Sequence, residues 1–135
     1  MKKVFQACRF LLAPIICAAV ILVLAKFVFF IGYVPSASME PTIESGSYIL
    51  GWRLYSDISV GDVVIFEHEG KTLVKRVAAV GGESIELGSQ CLTVPENCYV
   101  VLGDNADVSI DSRYWSDPFL SRDGIRAKLL LPGTD

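Results

Sequence analysis

Ser36 and Ser38 stand one residue apart in Val34-Pro35-Ser36-Ala37-Ser38-Met39-Glu40-Pro41-Thr42, a proline-bracketed segment that on its own reads as a loop. Lys75 is the more unusual group. It lies in Thr72-Leu73-Val74-Lys75-Arg76-Val77-Ala78-Ala79-Val80, and strand alternation puts it with Leu73 and Val77, an amine on an apolar face. Burial disfavours the charged form, so such an amine can shed its proton near neutrality and then take one from a hydroxyl. The plainer alternative is a lysine that snorkels to the sheet edge, since lysines are seldom buried. His68, the single histidine, falls in Glu67-His68-Glu69-Gly70-Lys71, which reads as an exposed hairpin tip. As a solvated turn residue it leaves any base to Lys, Asp or Glu. Cys91 and Cys98 flank a turn-forming stretch, a spacing that permits a disulfide in an oxidising compartment and equally leaves two unpaired thiols. Four close ligands for a zinc ion are lacking, and no metal or cofactor is expected.

The elements that must carry these groups follow from composition. With 135 residues the chain has room for one domain, and 52% hydrophobic residues make it too apolar for an ordinary soluble one. Charge divides sharply: residues 1–34 hold Lys2, Lys3, Arg9 and Lys26 and no acid, whereas residues 35–135 hold eight basic and fifteen acidic residues. An acidic body with a basic head argues against nucleic acid, which needs clustered Lys and Arg on the folded part. The head suits a membrane. Phe10 to Val34 is apolar except for Lys26, and as a helix it would rise roughly 37 Å against a hydrocarbon core of about 30 Å. Lys26 is expected near one interface, with Phe27, Phe29, Phe30 and Tyr33 as an aromatic anchor. Lys2, Lys3 and Arg9 keep the N-terminus cytoplasmic and send the rest across. A cleaved secretory signal is the competing reading, from the small residues Ser36-Ala37-Ser38, but the apolar run is longer than a signal's usual 7–15 residues. Cys8 and Cys17 then read as small apolar residues of the span.

Residues 35–135 are expected to form an all-β domain, a compact antiparallel sheet or barrel behind the single transmembrane helix of residues 1–34. Ser47–Trp52, Asp62–Glu67, Thr72–Val80, Ser84–Leu87, Tyr99–Leu102 and Ile125–Leu131 are short runs rich in β-branched residues, punctuated by Gly46, Gly61, Gly70 and Gly81-Gly82. No stretch of the domain sustains a helical period.

Four blocks, in order, carry a resemblance. Ser36-Ala37-Ser38-Met39-Glu40-Pro41-Thr42 resembles the S-x-S-M-x-P-T motif of type I signal peptidases, the serine–lysine membrane proteases that cut leader peptides from exported proteins. Gly61-Asp62-Val63-Val64 resembles their G-D-V-V, Lys75-Arg76-Val77 their K-R-V, and Gly103-Asp104-Asn105 through Ser109-Ile110-Asp111-Ser112-Arg113 their G-D-N…S-x-D-S-R. The resemblance implies Ser38 as nucleophile and Lys75 as general base, with the Ser38 N–H and Ser36 hydroxyl as oxyanion hole. It implies Ser109 as the serine that orients the lysine, Asp111 and Arg113 as a structural pair bracing the site, and Asp104 and Asn105 in the turn before them. Met39, Ile65 and Val77 are expected in the wall of a pocket for small substrate residues. The partners implied are signal-peptide-bearing preproteins and the lipid bilayer. The implied location is a bacterial inner membrane, crossed once, with the catalytic domain on the periplasmic or extracytoplasmic side.

The chain departs from the pattern at Ala106, where a basic residue is usual, at Val108, where Asn is usual, and at Ser116, where Gly often follows Tyr-Trp. These departures bear on substrate choice. They leave open a peptidase dedicated to a pilin or another substrate of a conjugation or secretion system. A self-cleaving repressor-type regulator is disfavoured by the N-terminal span, and a non-catalytic anchored β module by the intact serine and lysine.

Overall fold

The computed structural model describes residues 2–131, with side chains from 12 to 130. Lys2, Lys3, Cys8, Arg9 and Phe10 therefore have side chains outside the described range. The chain opens with α1 (Lys2–Val28), which contains Pro14. The helix stops six residues earlier than the apolar run suggests, because Phe29–Tyr33 forms a strand, β1. β1 pairs antiparallel with β2 (Tyr48–Trp52), from Phe29 opposite Trp52 to Tyr33 opposite Tyr48. Aromatic and β-branched side chains suit a pleated surface, and Gly32 weakens a helix. Two cross-strand pairs hold the register, Phe29 with Trp52 at 5.3 Å between ring centroids and Tyr33 with Tyr48 at 5.5 Å. The expected aromatic anchor is thus largely the first strand of the sheet. Arg53 closes the helix end: its N–H donates to the Val28 carbonyl at 2.8 Å and its Nε to the Phe29 carbonyl at 3.0 Å.

Among the described residues, no helix is long and apolar enough to cross a membrane. The part of α1 whose side chains are described, Leu12 to Val28, rises about 25 Å, short of a hydrocarbon core of about 30 Å.

The remaining elements are β3 (Val63–His68), β4 (Lys71–Val80), β5 (Ser84–Leu87), β6 (Gln90–Thr93), β7 (Cys98–Leu102), β8 (Leu120–Ser121), a 3₁₀ turn at Arg122–Gly124, and β9 (Ile125–Leu131). Seven strands form one sheet in the order β1-β2-β9-β3-β4-β7-β8, every pair antiparallel, and β5 and β6 make a separate hairpin. The β3–β4 hairpin turns at Glu69-Gly70, with φ of 48° and 74°, the doubly positive turn that matches strand twist. His68 is no solvated turn residue: it ends β3 and stacks on Trp115, with centroids 3.9 Å apart. Cys91 and Cys98 are free thiols, the first exposed on β6 opposite Glu86 and the second half-buried on β7 opposite Ser121. They belong to different sheets, so the turn between them does not bring them together as a bridge.

Both faces of the central strand β3 are covered. Val63 and Ile65 pack with Val34, Met39, Ile43, Ile49 and Ala127, whereas Val64 and Phe66 pack with Ile58, Val77, Tyr99, Val101, Leu120 and Ile125. The first cluster sets the segment after β1 on the sheet, because Val34, Met39 and Ile43 are its anchors.

Candidate active site

That segment is a closed excursion. Val34 N–H donates to the Ser47 carbonyl at 3.0 Å and Gly46 N–H to the Val34 carbonyl at 2.7 Å, so residues 35–45 leave the sheet and return to the same point. Gly46 sits at φ 87°, a conformation that favours glycine. With Met39 fully buried beneath it, Ser38 is pinned at the inner side of the loop, 7% exposed.

Lys75 lies on β4 opposite Val64, on the face shared with Leu73 and Val77, and is 3% exposed. Its Nζ donates to Ser38 Oγ at 2.6 Å. Burial is the largest influence on this amine and lowers its pKa from the ordinary 10.5; Asp111 and Asp104 oppose that change and Arg113 adds to it. A neutral amine at that distance has a lone pair to accept the serine proton, so the pair has the geometry of a nucleophile and its base. Ser36 is exposed, its Oγ 3.4 Å from Ser38 Oγ. Among the described residues the Ser38 N–H has no intramolecular acceptor.

A second loop, from Gly103 to Arg113, backs the pair. Asp111 is 0% exposed and its carboxylate accepts from Gly103 N–H at 2.8 Å, Ser109 Oγ at 2.6 Å, and Arg113 Nε and Nη2 at 2.8 and 2.7 Å. Burial pushes this carboxyl up, but the bonds from Arg113, Gly103 and Ser109 outweigh it and hold its pKa at about 2. Ser112 ties the loop to β7, since its Oγ accepts from Val101 N–H at 3.0 Å and its own N–H donates back at 3.2 Å. Ser109 is buried beside the pair, but its hydroxyl donates to Asp111 rather than being bonded to the lysine.

Asp104 and Asn105 hold the two loops together. The Asp104 carboxylate receives Arg76 Nε and Nη2 at 2.8 and 2.7 Å and the Thr42 hydroxyl at 2.6 Å, and Arg76 Nη1 reaches the Gly61 carbonyl at 2.8 Å. The bidentate Arg76 keeps this carboxyl below the usual range. Asn105 acts through its backbone, donating to the Ser38 carbonyl at 3.0 Å. Residues of all four sequence blocks thus meet in one place.

Met39, Ile65 and Val77, expected in the wall of a pocket, are core residues instead. They are 0%, 0% and 1% exposed, because β3, β4 and the Ser38 loop spend these apolar residues on the two core clusters that cover β3. Three participants were not picked out as site residues by sequence reasoning: Thr42, Arg76 and Gly103. All three stood inside the quoted blocks, but Thr42 and Arg76 have a partner 62 and 28 residues away along the chain, a separation that spacing does not reveal. Gly103 reads as a turn glycine; its reason is a close approach to Ser109 and Ser38.

Comparison with known proteins gives a consistent picture. The model of the family described as signal peptidase, peptidase S26, matches residues 7–93 and 86–132. Signal peptidase I of Pseudomonas aeruginosa is 26% identical over an alignment of 174 residues, covering 77% of this chain and 61% of its own. Probable signal peptidase I-1 of Synechocystis sp. is 26% identical over 119 residues, covering 62% and 61%. Signal peptidase I of Aquifex aeolicus is 37% identical over 59 residues, covering 39% of this chain and 23% of its own. The chain spans about three fifths of the length of the first two relatives, 61% of each.

Proposed function

Because the chain belongs to the signal peptidase family, peptidase S26, we propose that it is a membrane-anchored serine–lysine endopeptidase that removes leader peptides from exported preproteins. The observation that carries this reading is the 2.6 Å contact between the buried Lys75 Nζ and Ser38 Oγ.

In the proposed reaction neutral Lys75 accepts the Ser38 hydroxyl proton as Oγ attacks the scissile carbonyl. The developing oxyanion is met by the Ser38 N–H and the Ser36 hydroxyl, donors worth a few kcal/mol in a water-poor site. Lys75 then passes its proton to the leaving amine. Water, deprotonated by the same amine, opens the acyl ester and regenerates the pair. Asp111 with Arg113 and Ser109, and Asp104 with Arg76 and Thr42, keep the two loops in register around the serine. Their charges are satisfied locally, so among the described residues Lys75 has no direct carboxylate partner that would hold it protonated.

The anchor in this reading is α1. Its 27 residues rise about 40 Å, and large apolar side chains from Leu12 to Phe27 stand exposed around it, Leu22 at 68% and Phe27 at 70%. The basic residues Lys2, Lys3 and Arg9 orient it with the N-terminus cytoplasmic, and residues 35–135 work on the far side of a bacterial inner membrane. The strand β1 is then the link between anchor and nucleophile.

The test is incubation of the detergent-purified chain with a leader-bearing preprotein, with the new N-terminus mapped by mass spectrometry. A single cut after a small residue is expected, and Ser38→Ala or Lys75→Ala should each reduce the rate at least a thousandfold while leaving the fold intact. Undiminished cleavage in either variant excludes the mechanism.

A further inference from the structure

Where α1 meets the sheet, a cleft of about 860 Å³ opens, walled by apolar side chains that include Leu22, Val23, Ile31 and Leu50 and flanked by Lys26 and Arg53. Among the described residues no carboxylate lines it, and neither cation is in an ion pair. The two cations differ in how they are held. Lys26 is exposed in the last turn of the helix, four residues beyond Leu22 and so on the same helix face.

Arg53 is fixed before any ligand arrives: its own N–H and its Nε bind the carbonyls of Val28 and Phe29, and its guanidinium rests 5.2 Å from the centre of the Phe30 ring. A guanidinium has five N–H donors, and the Nε bond uses one. The terminal nitrogens remain for an anion. An oxygen-rich anion with an apolar tail satisfies both parts of this cleft, which a free anion or a neutral lipid does not.

The geometry points to a phospholipid site of anionic headgroup, with an acyl chain against Leu22, Val23, Ile31 and Leu50 and the phosphate between Lys26 and Arg53. This inference rests on the reading of α1 as a membrane anchor, in which the end of the helix lies at the interface. The charges add a preference that an apolar groove alone would lack, because each Lys or Arg near a membrane surface favours an anionic lipid by about fivefold. A functional consequence follows from connectivity. Arg53 joins the helix end to β2, and five residues of β1 lead from the same point to the loop of Ser38. A bound phosphate would set the height of the sheet, and hence of the nucleophile, above the bilayer.

The experiment titrates the detergent-purified full chain with phosphatidylglycerol or phosphatidylcholine and counts retained lipid by native mass spectrometry. Phosphatidylglycerol should be retained preferentially, and Lys26→Gln and Arg53→Gln should each weaken it about fivefold. Lys71→Gln, at the distant hairpin tip, should change nothing. Since Arg53 also closes the helix, the exposed Lys26 decides: unchanged phosphatidylglycerol binding in Lys26→Gln overturns the site. So does equal retention of the two lipids.

Flotation with phosphatidylcholine vesicles separates the two readings. A chain that floats but shows no anionic preference keeps its anchor and loses this site, whereas a chain that never floats loses both. A photoreactive residue in place of Leu22 that captures a leader peptide instead of lipid would assign the cleft to substrate and overturn the proposal.

Discussion

Gly103→Ala is the most revealing single change, because one methyl group tests the spacing of the whole site. A Cβ at residue 103 would overlap Ser109 Oγ and lie 2.5 Å from Ser109 Cβ and 2.6 Å from the Ser38 carbonyl oxygen. Non-bonded heavy atoms settle at about 3.5 Å or more, so one loop must retreat by roughly 1 Å. Neither gives way freely. Ser109 is held by Asp111 at 2.6 Å and by its N–H to the Asn105 carbonyl at 3.1 Å; the Ser38 carbonyl is held by Asn105 N–H at 3.0 Å. Overpacking of this kind costs about 1–3 kcal/mol of stability. If the Ser38 loop moves, the 2.6 Å contact to Lys75 opens beyond hydrogen-bonding range, and a misplacement of about 1 Å is worth about a hundredfold in rate. We expect kcat/KM for a leader-bearing peptide to drop about a hundredfold while urea unfolding stays cooperative with a lower midpoint. A variant that cleaves within about threefold of the wild type, with an unchanged midpoint, would refute the argument that Gly103 sets the distance.

Two further outcomes concern protons. Asp111 has a folded-state pKa of about 2 against an ordinary 3.8, so it contributes stability above pH 3.8 that disappears as the pH falls toward 2. Nearly two pKa units correspond to about 2 kcal/mol, and the acid arm of a urea-midpoint profile should flatten in Asp111→Asn; an unaltered arm would assign acid lability elsewhere. Lys75 has the opposite sense, with a folded pKa below the ordinary 10.5. The unfolded chain then binds the extra proton between the two values, so stability rises with pH across that window, and cleavage should rise as the amine is deprotonated. Lys75→Met should abolish cleavage and remove that part of the slope, read as the difference in urea midpoint between neutral and alkaline pH. An identical slope in the variant would show that Lys75 is not the titrating group.

What the sequence discloses and what it withholds divide along physical lines. Strand period is local, so β2, β3, β4, β5, β7 and β9 were legible from runs such as Asp62–Glu67, and Lys75 was placed on its face by counting in twos. The end of α1 was not, because Phe29-Phe30-Ile31-Gly32-Tyr33 is as apolar as the helix before it. What turns those residues into a strand is β2, nineteen residues later at Tyr48–Trp52, and the carbonyl-capping Arg53. Pocket residues failed for a related reason. Apolar side chains beside a reactive group look alike whether they face substrate or core, and Met39 and Ile65 face the core because the Ser38 loop needs anchors to lie on the sheet.

The polar partners show the same limit from the other side. Asp111 and Arg113 find each other two residues apart, where spacing is informative, whereas Asp104 chooses Arg76 and Thr42 across 28 and 62 residues. That long-range choice has a consequence for Lys75. With Asp104 committed to Arg76, and Asp111 to Arg113, both carboxylates closest to the amine in their influence are already neutralised by guanidinium groups that cannot give up a proton. Each arginine therefore acts on Lys75 indirectly, by leaving burial as the dominant influence on it. In the proposed reaction that is what frees the amine to take a proton, since among the described residues it is in no ion pair.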